Sequence, residues 1–543
     1  METKKILKYS MGITLVAASL SSLTSCIEET FPTSVATEEQ MQQSSASAEA
    51  ALMALPSNFN AYGGSYGHFG FGYGAMMTIR DVQTGDYMDS YLGYDHFHAW
   101  AENKYQGDGY LIGQYIYNYY NEFILACNTM VGAVNPENAS DKQLGYLGAG
   151  LAFRALVYLD MARCYEFLPT DKTSNINADG NDVLNLTVPI VTAEMDQAAA
   201  KNNPRATREQ MRDFIENDLD NAEKYIVNLK SYSDNTLPDL ACVYGLKARL
   251  YMWVEDYPKA QEYARKAINA ARVDPMTEEE CNNIVTGFND ISKWMWGAKQ
   301  TSEDNTVKSG IINWTSWRSN QTSYGYTGTG TGMFSQMDKR MYERISDTDF
   351  RKVQFLAPEG SPLRDATRFL PEMKDNLIEI MPAYTSLKFR PNEGNPDVYT
   401  TSAASCYPVM RVEEMYFIEA EAAAHQNEAN GLELLKKFMT ENRDPSYDTK
   451  VTAKDDIIEE IIFQKRVEFW GEGQTFFDIK RLNYSVTRGY PGTNWEDDNA
   501  RFNTNGRPAW MNYVIVRTES NNNQGLVGMN NPDPSDSYTP WTE

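Results

Sequence analysis

Only four of the 543 residues are histidine, at 68, 96, 98 and 425, which leaves little for metal or general-base chemistry. Asp95, His96 and His98 alternate as strand residues would, but no third zinc ligand is evident. Cysteine is nearly as scarce. The five that follow residue 26, at 127, 164, 242, 281 and 406, are odd in number and widely spaced, which excludes a disulfide framework. Cys127, Cys164 and Cys242 fall within helical patterns and read as small buried apolar residues. Past residue 26 there is no apolar run of 18 or more, so no later segment is expected to enter a bilayer. Positive charge is in deficit, with 49 Lys and Arg against 74 Asp and Glu, a net charge of −25. Such a field repels phosphate backbones and excludes nucleic acid, while neutral and cationic ligands stay open. Enzymatic constellations are missing too: no His-Glu-x-x-His occurs and no serine elbow is assigned. Glu413-Glu414 and Asp497-Asp498 imitate a glycosidase dyad. Adjacent helical residues point to different sides, however, so Glu413-Glu414 reads as a capped, solvated face. No catalysis is expected.

The N-terminus carries most information. Lys4, Lys5 and Lys8 precede an apolar run from Met11 to Leu20 that is too short to span a membrane, which is the pattern of an export signal. The run ends in Leu23-Thr24-Ser25-Cys26, which resembles the bacterial lipobox. That resemblance implies a signal peptide over 1–25, cleavage before Cys26, and acyl chains such as palmitate on the new N-terminus. Removing Glu2, Lys4, Lys5 and Lys8 leaves about −27 on the mature chain. Each buried methylene contributes about 0.8 kcal/mol, so a multiply acylated chain stays anchored, and lipid is the only membrane contact expected. Small polar residues from Ser34 to Ala48 read as a tether over 26–48.

The remaining chain, 42% apolar overall, can bury a large core. Leu147, Leu151, Ala155, Tyr158, Ala162 and Tyr165 recur at three and four and predict a helix from Leu144 to near Pro169. Leu156 and Leu159 add a second strip, as expected of a helix packed between neighbours. Residues 110–134 form its partner. Tyr244, Ala248, Tyr251, Ala260, Ala264 and Ala267 then fall at relative positions 4, 8, 11, 20, 24 and 27 of a unit of about 34 residues, which resembles a tetratricopeptide repeat. Small alanines let two helices approach, and Pro258 sits where a helix starts. Residues 411–425 with 431–443 form another pair, and 455–482 a terminal element broken at Gly471-Glu472-Gly473. The expectation is an all-α, tetratricopeptide-like helical repeat scaffold over 49–543, with long irregular ligand-binding loops and a few short strands.

Residues 56–109, 294–408 and 484–543 are rich in Gly, Tyr, Trp, Ser and Asn without sustained period and read as loops or short strands. Two of them combine stacking aromatics with polar rims, as sugar recognition requires. In the first, Tyr94, Trp100 and Asn103 are candidate ligand contacts. In the second they are Trp296, Trp314, Trp317, Arg318, Tyr324 and Tyr326, with Trp317, Tyr324 and Tyr326 favoured because Ser and Gly surround them. The Gly-rich run from Gly63 to Gly74 lacks the Lys and Ser/Thr of a phosphate loop. No cofactor is expected; calcium on Asp81, Asp86 and Asp89 is the one alternative kept open.

Five ordered blocks carry a resemblance. They are Cys26 with its lipobox; Phe153-Arg154-Ala155-Leu156-Val157-Tyr158-Leu159-Asp160; Leu246-Lys247-Ala248-Arg249-Leu250-Tyr251; Arg411 through Ala422; and Gln464 through Gly473 leading to Phe477-Asp478-Ile479-Lys480-Arg481. Together they resemble the SusD/RagB family of outer-membrane nutrient-binding lipoproteins of the Bacteroidota, although Gln474-Thr475 stands where the family usually shows an arginine. The resemblance implies an N-terminal part at about 49–235 and a C-terminal part at about 290–543. It also implies a lipid-anchored protein on the exterior of the outer membrane that binds a glycan and serves a TonB-dependent, SusC-like β-barrel transporter. A peptide-binding member of the family, or a surface glycoside hydrolase, are the alternatives.

Overall fold

The computed structural model describes residues 44–90, 97–230, 234–328, 330–370 and 375–543. Cys26, the 1–25 segment, Tyr94, Asp95 and His96 lie outside the described residues.

The framework is helical and repetitive. Its longer helices are α1 (Ser45–Ala54), α2 (Tyr73–Val82), α3 (Leu111–Gly132), α4 (Asp141–Tyr165), α5 (Arg208–Ile226), α6 (Leu240–Trp253), α7 (Tyr257–Ala270), α8 (Val412–Gln426), α9 (Glu428–Asn442), α10 (Lys454–Glu468) and α11 (Thr475–Leu482). Helix α3 lies along α4, α4 along α5, α6 along α7, and α8 along α9. Helices α4, α6, α8 and α10 form a row, each touching the next, so the hairpins stack as a solenoid. In the α6/α7 pair Ala248, Ala260, Ala264 and Ala267 are fully buried, as the spacing predicts. Asp239 and Asp256 cap the two helices by accepting from the backbone N–H groups of Cys242 and Lys259. The α8/α9 pair is tighter still: a Cβ on Gly431 would lie 2.4 Å from that of Ala424.

Buried ion pairs lock the row. Arg154 of α4 grips Asp218 of α5 with two hydrogen bonds of 2.8 and 2.7 Å. Arg249 of α6 grips Glu414 of α8 at 2.7 and 2.6 Å. Asp160 of α4 accepts from Arg80 of α2 at 2.9 Å and from the Tyr73 hydroxyl at 2.7 Å. Glu413 and Glu414 are therefore not a solvated face. Both are buried, Glu413 within ion-pair distance of Arg411 and Arg443, because each carboxylate finds a guanidinium on a neighbouring element.

Two other expectations change. Helix α1 begins at Ser45, inside the stretch read as tether: its alanines favour helix, and Ala48 and Leu52 are buried. Helix α2 lies within a region read as loop, and every one of its residues is buried. Helix α5, which the sequence reading leaves unassigned, opens on a Thr207/Gln210 capping box and buries Met211, Ile215, Leu219, Ala222 and Ile226 on one face.

The intervening stretches are tied down by two small antiparallel ladders. β1 (Tyr87–Asp89) pairs with β3 (Ser335–Met337), and β2 (Trp296–Lys299) with β4 (Cys406–Met410). The C-terminal segment closes helix ends formed far earlier in the chain. Buried Arg488 donates to the carbonyls of Val82, Thr84, Ala101 and Ala500, and Asn531 donates to the Tyr165 carbonyl. Among the described residues no helix is long and apolar enough to cross a membrane, and the five cysteines are unbridged.

Candidate ligand-binding site

A short helical turn, Trp314–Arg318, organises the aromatic-rich region; the Asn313 side chain caps it by accepting from the Ser316 N–H at 2.9 Å. Trp317 stacks on Tyr326 and meets the edge of Phe97 at a centroid distance of 4.7 Å. Its indole N–H donates to the His68 carbonyl at 3.1 Å, and the His68 ring touches the Tyr326 hydroxyl. Trp314 stacks on Tyr407 at 4.9 Å, Trp100 receives the edge of Phe69 at 5.1 Å, and Trp296 meets Phe153 at 4.8 Å.

These contacts turn the candidate rings inward. Trp100, Trp296, Trp314, Trp317 and Tyr326 are each no more than 2% exposed, as are Asn103 and Arg318. Asn103 donates to the Pro534 carbonyl at 2.8 Å, and Arg318 to Asp81 at 2.7 Å with its guanidinium 4.5 Å from the Tyr87 ring centroid. A closed ring offers no face to a sugar, so these residues form a floor rather than an open stacking surface. The reason is aromatic density, because each indole finds a ring partner or a backbone acceptor inside the fold.

Of the predicted contacts, Tyr324 stands apart. Gly325, at φ +84°, reverses the chain between Tyr326, which turns in, and Tyr324, which stays half-buried. A Cβ on Gly325 would lie 2.5 Å from Ser316 Oγ. The Tyr324 hydroxyl donates to Ser402 Oγ at 2.7 Å, and burial raises its pKa, so it remains a neutral donor. Its ring lies 6.2 Å from that of Tyr399, which is 40% exposed. Ser323 donates to Asp397 at 2.5 Å. Tyr324, Tyr399, Ser323 and Asp397 thus make a half-open rim of aromatic faces and polar groups above the closed floor. On the Gly-rich loop Tyr62 is 48% exposed, and half-buried Tyr66 accepts from Asn118 at 2.8 Å. Sequence reasoning missed Tyr399, Asp397 and Tyr62; a lone tyrosine in Pro396-Asp397-Val398-Tyr399-Thr400 carries no periodic or compositional signal.

The residues considered for other chemistry are engaged elsewhere. Asp81 accepts from Arg318 and from the Gly473 N–H, Asp86 pairs with Arg466, and Asp89 accepts from Ser335 at 2.7 Å. Burial pushes the Asp81 and Asp89 carboxyls up to about 6. Among the described residues no group of three or more His, Cys, Asp or Glu could hold a metal ion. Gly63-Gly64-Ser65-Tyr66-Gly67 matches Gly-x-Ser-x-Gly letter for letter. Ser65 is exposed in a turn that no strand enters, so it is not the strained strand-to-helix elbow that activates a serine.

Residues 262–532 match the model of the SusD family. Among solved structures, a SusD-like carbohydrate binding protein from Bacteroides vulgatus is 21% identical, over 89% of this chain and 98% of its own, with a TM-score of 0.68. A SusD superfamily protein from Bacteroides thetaiotaomicron is 18% identical over 88% and 98%, TM-score 0.65. One from Bacteroides fragilis is 19% identical over 89% and 99%, TM-score 0.63. At these identities the likeness establishes the shared fold. No curated protein matches the chain.

Proposed function

Because the chain belongs to the SusD family through residues 262–532, we propose that it is a non-catalytic surface lipoprotein that captures oligosaccharides and passes them to a TonB-dependent β-barrel transporter. Carbohydrate binding is what the Bacteroides vulgatus relative is described as doing. The observation that carries the reading to this chain is the rim: half-open Tyr324 and Tyr399 beside Ser323 and Asp397. A pyranose presents apolar C–H faces that stack on such rings, while its hydroxyls need adjacent donors and acceptors. The buried aromatic floor supports the rim by fixing its backbone, which lowers the ordering cost of binding. The lipobox-like Leu23-Thr24-Ser25-Cys26 supports anchoring at the exterior of the outer membrane through acylated Cys26.

Isothermal titration calorimetry against a panel of neutral oligosaccharides tests the binding. At least one should bind the wild-type chain, and Tyr399→Ala should weaken it by about tenfold, the loss of one stacking contact of roughly 1–1.5 kcal/mol. A panel without any binder, or a Tyr399→Ala protein with unchanged affinity, refutes the reading.

A further inference from the structure

A second recess, of about 170 Å³, shares no lining residue with the rim. It lies where α4, α6, α8, α10 and α11 converge, with Arg507 of the C-terminal segment at its wall. Seven of its lining side chains are Arg or Lys and four are Asp or Glu. Most of the cations are matched: Arg163 with Asp160, Arg249 with Glu414, Lys465 with Asp478, Arg208 with Glu166, and Arg481 with Glu421.

Lys480 and Arg507 are not. The buried Lys480 amine donates only to the carbonyls of Cys164 at 2.9 Å and Met511 at 2.7 Å, which leaves one ammonium N–H over. Arg507 donates through Nε to the neutral Asn483 side chain at 3.1 Å. Arg481, whose side chain is 8% exposed, has Nη1 buried without a hydrogen-bond partner. An unmatched buried cation is costly: burial pushes the Lys480 amine down to about 7, and the charge of Glu166 offsets that only in part. The remaining wall is apolar and aromatic, from Trp253, Phe477 and Ile418.

We propose that this recess is a separate binding site for a small organic carboxylate, held as an anion by Lys480, Arg481 and Arg507 with its body against Phe477 and Trp253. The volume resembles that of an engineered cavity of about 150 Å³ that accepts benzene, so the ligand has on the order of six to ten non-hydrogen atoms plus its carboxylate. Paired guanidinium and ammonium groups over an aromatic wall favour a planar carboxylate on a compact carbon body over a bare inorganic ion.

Calorimetric titration of the full chain with D-glucuronate and with benzoate tests this, with D-glucose and inorganic phosphate as the other arms. At least one carboxylate should bind, glucose and phosphate should not compete with it, and Arg507→Gln should weaken it tenfold or more. Arg507 is half-exposed and pairs with no carboxylate, so that variant is expected to fold; circular dichroism checks it. Lys480→Met should abolish binding where it folds. Tyr399→Ala should leave carboxylate affinity unchanged, which separates this site from the oligosaccharide rim. Neither carboxylate binding at up to about 10 mM, a ligand too weak for any assigned role, overturns the proposal. So does phosphate binding as well as glucuronate, or an Arg507→Gln protein with wild-type affinity.

Discussion

Trp317 lies flat against Tyr326, ring centroids 3.8 Å apart and planes 7° apart, and the pair is closed to solvent while Tyr399 nearby is open. Two aromatics on neighbouring segments therefore do different work. One holds the loops together, and the other keeps part of its ring in solvent.

Substitution separates those roles. Trp317→Ala should cost about 3–5 kcal/mol of stability through the cavity it leaves. Tyr399→Ala should change stability by no more than about 0.5 kcal/mol, as surface changes do, while lowering oligosaccharide affinity. Urea unfolding measures both; equal stability losses would contradict the division between floor and rim.

The Arg249–Glu414 pair between α6 and α8 predicts a strong asymmetry. Glu414→Gln alone strands a buried guanidinium and should destabilise by about 3–5 kcal/mol, whereas Arg249→Met with Glu414→Leu should recover most of that loss. A double variant as unstable as the single one would show that the pair does more than neutralise itself.

Glu421 predicts an acid sensitivity. Burial alone would raise its pKa, but Arg481, with His425 and Lys465, overrides burial and holds the carboxyl down to about 2. A folded-state pKa below the unfolded one gives stability that is complete above about pH 4.5 and lost as pH falls toward 2. Unfolding at pH 6 and pH 3 should differ by about 2 kcal/mol more in the wild type than in Glu421→Gln. Identical pH dependences would remove this group from the acid response.

Cys26→Ser should abolish palmitate labelling and release the protein from the membrane fraction of the native host. Retention of label would place the lipid elsewhere.

Legibility followed periodicity. The α6/α7 pair was readable because Ala248, Ala260, Ala264 and Ala267 must be small for two helices to touch, and burial confirms each of them. Helix α5 went unread: the signals are there in Thr207, Gln210 and an apolar stripe, but the charged residues between them masked it. Glu414 was opaque, since nothing local to Glu413-Glu414 reveals an arginine 165 residues away. The site failed for a related reason. Composition found the aromatic-rich stretches, yet whether Trp317 or Tyr399 faces outward depends on contacts with Tyr326, Phe97 and His68 that lie far apart in sequence or across a glycine reversal.

Arg488 and Asn531 give the molecule a direction in time. The carbonyls that accept from them, at Val82, Thr84, Ala101 and Tyr165, belong to helix ends made hundreds of residues earlier. The carbonyls of Val82, Thr84 and Ala101 cannot gain this donor until residue 488 has been synthesised, whereas that of Tyr165 can already accept from Arg205. The closing stretch of the chain thus completes its own beginning.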